Sequence, residues 1–435
     1  MKEYYDLLYT GRLDELVEKT LPIAEHEPDA ARALLRMLMA RENLFLLSAH
    51  SIDLLREAAH RGERYGQYGY ARYHVSVRPD ENSLWEAYRQ AEAAMEQGIA
   101  DGKAMIALTY SYGDIGKVDW EKESQLMQEA YEAGSELATM YIVQDLCYGK
   151  HYQSGQPEKA GNMLDELMAK EEAEGIEPNG WWPFYKAVSL PDDEVPARIA
   201  RYYERAIELG VLKAYGQLVL LYGYNDGAEL NITDQYTKWL RAGLEHRSAN
   251  AYYLDAAREM MRYNDLHPKY MAQKIDYDIV RECEDAIYGQ LCEAVRLGSL
   301  PAMETLGDMY YHGWYNCAQN YQRAFTCYSS ATNMDSYDAA EKLWLMMHDH
   351  LIDRPLDYQD SIALMGCRWG SKRLLAETVI AHQEGRLTEY DKEITKYYEP
   401  IFDSPDFSLD EFGSADDDFP DDDDPDDDGR FDAWA

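Results

Sequence analysis

What most constrains this chain is a spacing. In "AVRLGSLPAMETLGDMYYHG", residues 294–313, small residues stand at Ala294, Gly298 and Ala302, followed by Leu306, Gly307, Tyr310 and Gly313. The same frame fits "AYEAGSELATMYIVQDLCYG" at Ala130, Gly134, Ala138 and Gly149, and "AMEQGIADGKAMIALTYSYG" at Ala94, Gly98, Gly102, Tyr110 and Gly113. Looser copies begin at Ala58, Ala206, Ala242, Ala331 and Gly366, so the eight starting positions are separated by 36, 36, 76, 36, 52, 37 and 35 residues. The unit is therefore about 36 residues long, with a degenerate copy near 168–187 and an insertion near 262–285. A fixed period of this length predicts a stacked solenoid, because one short unit cannot bury its own apolar face and must lay it on the next.

Each unit reads as two helices. Ala302, Leu306 and Tyr310 lie four apart on one face of a first helix, and Tyr321, Ala324, Tyr328 and Ala331 mark a face of a second. The Gly between them ends the first helix, since a residue without Cβ takes the left-handed conformation cheaply. The small residues are expected where helices cross closely, with Gly298 and Gly307 as helix-contact positions.

"AMETLGDMYYHG" followed by "YQRAFTCYSSA" resembles the Sel1-like repeat, a relative of the tetratricopeptide repeat, at Ala302, Leu306, Gly307, Tyr310, Gly313, Ala324, Tyr328 and Ala331. The likeness extends over roughly residues 50–390. The Lys-Ala pair of that family is mostly absent, and Gly370 precedes a poor first helix. The resemblance implies an all-α, right-handed superhelical solenoid of stacked helix-turn-helix units acting as a protein-binding scaffold. The expected organisation is an N-terminal helical cap over 1–50, a solenoid of eight or nine units over 51–400, and a disordered acidic-aromatic tail over 401–435.

Charge narrows the partners. The chain carries 81 Asp and Glu against 42 Lys and Arg, a net charge of −39. Such a surface repels nucleic-acid phosphates and steers in proteins with a basic surface. The start, "MKEYYDLLYTGRLDELVEKTLP", has no basic region ahead of an apolar run, and the longest apolar stretches are too short to span a bilayer. The expectation is a cytoplasmic, bacterial protein without a membrane segment. Six cysteines, at 147, 283, 292, 317, 327 and 367, form no Cys-x-x-Cys pair and are expected as buried, reduced thiols.

Residues 401–435 hold 15 acidic side chains against Arg430 alone, and five of the eight phenylalanines of the protein fall there. Phe407, Phe412, Phe419, Phe431 and Trp434 are candidate anchors for the apolar pocket of a partner, while the aspartates would raise the association rate. On the solenoid, Glu304, Asp308 and Tyr311 point away from the buried row of the first helix and are the candidate partner-binding side chains there. No catalytic arrangement emerges. His348 and His350 lie two apart and face different sides of a helix, and "DDDDPDDDG" lacks the Gly and the bidentate Glu of a calcium loop. "GWWP" at 180–183 is expected to pack over the degenerate unit, with an exposed recognition patch as the alternative. The reading is a non-enzymatic scaffold or adaptor that needs no cofactor or metal. The alternative is an acidic inhibitor or immunity-type protein that neutralises a basic enzyme such as a nuclease by mimicking phosphate charge.

Overall fold

The computed structural model describes residues 2–77, 83–112, 119–149, 154–191, 194–223, 233–368 and 371–386. Among these residues every regular element is an α-helix. Four N-terminal helices come first: α1 (Lys2–Tyr9), α2 (Leu13–Thr20), α3 (Pro28–Met39) and α4 (Arg41–Leu46). The repeating pairs follow, as α5 (Ala49–His60), α6 (Arg64–Val77), α7 (Ser83–Glu96), α8 (Ala100–Tyr112), α9 (Trp120–Glu132), α10 (Glu136–Tyr148), α11 (Pro157–Glu174), α12 (Trp181–Val188), α13 (Pro196–Glu208), α14 (Lys213–Gly223) and α15 (Asp234–Glu245). The last are α16 (Ala249–Met271), α17 (Tyr277–Arg296), α18 (Leu300–His312), α19 (Tyr321–Thr332), α20 (Tyr337–His348), α21 (Leu356–Arg368) and α22 (Lys372–Gln383). Even-numbered helices from α6 onward are the first helices of their units. The chain falls into two compact units, residues 1–255 with 296–298, and residues 256–295 with 299–435. In the first, each helix from α5 to α15 packs on the next, and α6, α8, α10 and α12 also meet in succession; in the second, α18 to α22 pack in order. The fold is an all-α solenoid.

The joint between units is a backbone device. Where a second helix ends, φ turns positive at Gly62, Gly98, Gly134, Gly175, Gly210, Arg247, Gly298 and Asp335. Gly175 supplies the stop hidden in the 76-residue gap of the sequence frame, so the degenerate unit is present, with α12 as its short first helix. The residue after the stop is often a serine that caps the next helix: Ser135, Ser299 and Ser336 accept from the backbone N–H groups of Ala138, Ala302 and Ala339. Gly298 therefore corrects the expectation of a helix-contact position, since at φ +84° it lies between α17 and α18. A Cβ there would also stand 2.6 Å from the ring of Phe45. Gly307 does mark a close crossing, because a Cβ on it would stand 2.5 Å from the ring of Tyr328.

Six of the seven alanines that open the frame, Ala58, Ala94, Ala130, Ala206, Ala294 and Ala331, are completely buried, as close crossing points are, and Ala242 is half-buried. The insertion near 262–285 takes helical form. It lengthens α16 to 23 residues and α17 to 20, where neighbouring helices run to 12 or 13. Trp181 and Trp182 of "GWWP" are buried, with Trp181 against Phe184 and Tyr185, which settles that motif as packing. Among the described residues no helix is long and apolar enough to cross a membrane.

Candidate functional site

The N-terminal helices reach several joints of the first unit. Arg36 of α3, almost wholly buried, donates to both carboxylate oxygens of Glu136 at 2.7 and 2.8 Å and to Glu171 at 3.0 Å. Asn179 donates its amide to Glu136 and its backbone N–H to Glu171, whose carboxylate also accepts from the Trp182 indole. Tyr9 of α1 donates to Glu177 at 3.0 Å, and a Cβ on Gly210 would lie 3.0 Å from the Leu8 carbonyl. The joints at 134, 175 and 210 thus converge on α1 and α3. A buried guanidinium gripped by two carboxylates fixes that geometry, since removing either side strands a buried charge. The chain itself occupies this face of the first unit.

Glu42 of α4 and Lys213, the first residue of α14, are half-buried and closely surrounded, and neither makes a hydrogen bond or ion pair with a described residue. Burial pushes the Glu42 carboxyl up and the Lys213 ammonium down, and the attraction between them opposes both shifts. The Lys213 nitrogen stands 5.9 Å from the centre of the Phe184 ring. Tyr185, which senses the charge of Glu42, donates to Gln144 at 3.2 Å, and Tyr148 is 40% exposed at the edge.

In the second unit the first helices carry a row of carboxylates. Glu304 accepts from the hydroxyl of Ser336, and Glu341 from that of Ser371, the capping serines of the following helices. Asp308 accepts from Tyr328 at 2.6 Å and pairs with Lys342 at 2.7 Å. Burial raises Glu304 to about 7, with Asp338 and Asp308 adding repulsion, and burial raises Asp338, Glu341 and Glu377 as well. Glu304 and Asp308 were expected on an open helix face; they are half-buried and tie neighbouring units together instead. The outward direction holds for one helix, but the next unit covers that side. Tyr311 is half-buried too, with the rings of His312 at 4.8 Å and Tyr321 at 5.4 Å. The same device appears in the first unit, where Ser135 donates to Asp101 at 2.5 Å. A carboxylate 30 to 34 residues ahead of a capping serine was legible in the sequence as a pattern and was missed.

Phe407, Phe412, Phe419, Phe431, Trp434 and the aspartate run 421–428 lie outside the described residues. His348 is exposed, pairs with Asp349 and stacks on Trp344, while His350 sits in the following turn at φ +57°. Among the described residues no group of three His, Cys, Asp or Glu is placed to hold a metal ion. Cys283 and Cys367 are fully buried, and the other four thiols are half-buried. Burial lifts the Cys147 and Cys327 thiols to about 12, so both stay protonated and are poor nucleophiles at neutral pH.

No protein-family model matches the chain, and no curated protein sequence is similar to it. Several solved structures are similar, among them two that follow. One is the Sel1 repeat protein from Oxalobacter formigenes, 16% identical, covering 77% of this chain and 92% of that one, with a TM-score of 0.35. The other is c5321, a protective antigen present in uropathogenic Escherichia coli strains displaying an SLR fold, also 16% identical, covering 88% of this chain and 94% of that one, with a TM-score of 0.32.

Proposed function

We propose that this protein is a non-enzymatic scaffold that binds a protein partner with a basic surface. The observation that supports the reading is the carboxylate row of the second unit. Asp338, exposed to solvent, and the half-buried Glu341 and Glu377 lie on the successive first helices α20 and α22, and among the described residues none of the three is in an ion pair with a lysine or arginine. Carboxylates whose proton affinity is raised by burial, with repulsion between like charges adding to it, gain from an incoming ammonium or guanidinium, which lowers the cost of keeping them charged. Residues 401–435 are the second element of the proposal. Their aspartates would speed encounter, and Phe407, Phe412, Phe419, Phe431 and Trp434 would hold the partner once bound.

The two elements separate by salt. Binding is measured by calorimetry against the partner recovered from the native host, using the full chain, a form ending at residue 400, and Asp338→Asn with Glu341→Gln. Loss of residues 401–435 should weaken binding at every salt concentration, because it removes apolar anchors, which are poorly screened, together with the aspartates. Loss of the carboxylates should weaken it mainly at low salt, where the Debye length exceeds about 10 Å. Equal affinity for all three forms would remove both elements from the interface.

A further inference from the structure

Beside the turn between α1 and α2 lies a cleft of about 400 Å³, a volume in the range of small-molecule sites, roughly 300–1,000 Å³. We propose that this cleft binds a small organic anion, a carboxylate carried on an apolar or aromatic body. The carboxylate is held by Arg12 and Arg247, and the body rests on Leu46, Ile207 and Leu212. All of these residues belong to the first unit, so the site shares none with the carboxylate row.

The cleft is walled by the turn after α1, the end of α4, the joint between α13 and α14, and the joint that follows α15. Leu46, Ile207 and Leu212 line it and are half-buried, so apolar surface stays accessible inside a concavity. Covering that surface favours a ligand with an apolar body. The exposed imidazole of His246 stacks on the Tyr215 ring, with centres 5.4 Å and planes 13° apart, and gives the cleft a flat wall.

The polar groups of the lining select the charge of the ligand. Asp14 already accepts from the backbone N–H and hydroxyl of Ser48 and from the hydroxyl of Ser51, and Glu15 is paired with Arg12 and Lys19. Arg247, exposed at the rim, makes no ion pair or hydrogen bond through its guanidinium with a described residue. At the same cleft α2 begins without a side-chain cap, and the backbone N–H groups of Leu13, Asp14 and Glu15 find no acceptor among the described residues. Of the carboxylates there, only the exposed Glu245 is without an ion pair or hydrogen bond among the described residues. Free donors therefore outnumber free acceptors, and a carboxylate uses them where an ammonium would not. Arg247 also keeps φ at +58°, where the joints at 98, 134, 210 and 298 have glycine, so a guanidinium is retained at the rim against backbone strain.

The test uses the full chain and the probe 4-phenylbutanoate, with 4-phenylbutan-1-ol lacking the charge and 4-phenylbutylamine reversing it. Calorimetry should give 4-phenylbutanoate a dissociation constant of about 1 mM or below, and both analogues should bind at least about tenfold more weakly. Arg247→Gly should weaken binding by about tenfold or more, while the melting temperature of the unliganded protein stays level or rises, so the loss is not one of folding. Glu245→Gln should strengthen binding by about twofold, because it removes a like charge from the rim. The comparison of probes runs on the unaltered protein and stands even if a variant folds poorly. Absence of 4-phenylbutanoate binding, an analogue that binds as tightly, or unchanged affinity in Arg247→Gly overturns the proposal. Weaker binding in Glu245→Gln overturns it as well, since the cleft would then select a cation. The partner binding described above is unaffected by any of these results.

Discussion

Arg247 holds φ at +58°, at the place where the joints at 98, 134, 210 and 298 have glycine. A Cβ in that conformation costs roughly 1–2 kcal/mol, partly offset by the greater freedom of glycine in the unfolded chain. Arg247→Gly should therefore stabilise the protein by about 0.5–1 kcal/mol, seen as a higher midpoint in denaturant melts; an unchanged midpoint would mean that the joint is not strained. Glu304 behaves differently because its effect depends on pH. Its carboxyl titrates near 7 in the folded protein, against about 4.3 in an unfolded chain. A folded value above the unfolded one means that the contribution is fully present below about pH 4.3 and is lost as pH rises through 7. Asp101, raised to about 6, acts in the same direction. Glu304→Gln keeps an acceptor for Ser336 and removes the charge, so it should gain about 1–2 kcal/mol at pH 8 and little at pH 5. Thermal melts across that range check it.

At the scale of helices, small residues mark two different things. Gly307 lies within α18 against Tyr328, whereas Gly298 ends the turn before it. Gly307→Leu should force α18 from α19, an overpacking cost of roughly 1–3 kcal/mol, and should loosen the hydrogen bond from Tyr328 to Asp308. A melting temperature equal to that of the parent would refute close packing at this crossing. The helix pairs and their stops were legible because both are local: apolar residues recur at i and i+4, and positive φ favours glycine. The buried row Ala302, Leu306 and Tyr310 is an instance. The roles of Glu304 and Asp308 were not legible, because whether an outward side chain meets solvent or the next helix depends on how units stack.

For the whole molecule, the division into two compact units implies separable unfolding. Hydrogen exchange in rising denaturant should show α12, in the first unit, and α20, in the second, losing protection at different concentrations. One shared transition for both helices would mean that the units unfold as a single cooperative block. Arg36 belongs to this scale as well, since it ties α3 to joints 100 and 135 residues away. Arg36→Met leaves Glu136 and Glu171 without their cation, and should cost about 3–5 kcal/mol in the first unit while leaving protection of α20 unchanged. The sequence by itself determined the repeat length, the two-helix unit, the all-α class and most of the stops, because each depends on spacings within one turn or one unit. Only the tertiary structure decided that α1 and α3 reach the joints at 134, 175 and 210, and that Glu304 and Asp308 turn inward. Those contacts depend on stacking angles that accumulate from unit to unit, and no 36-residue window contains them.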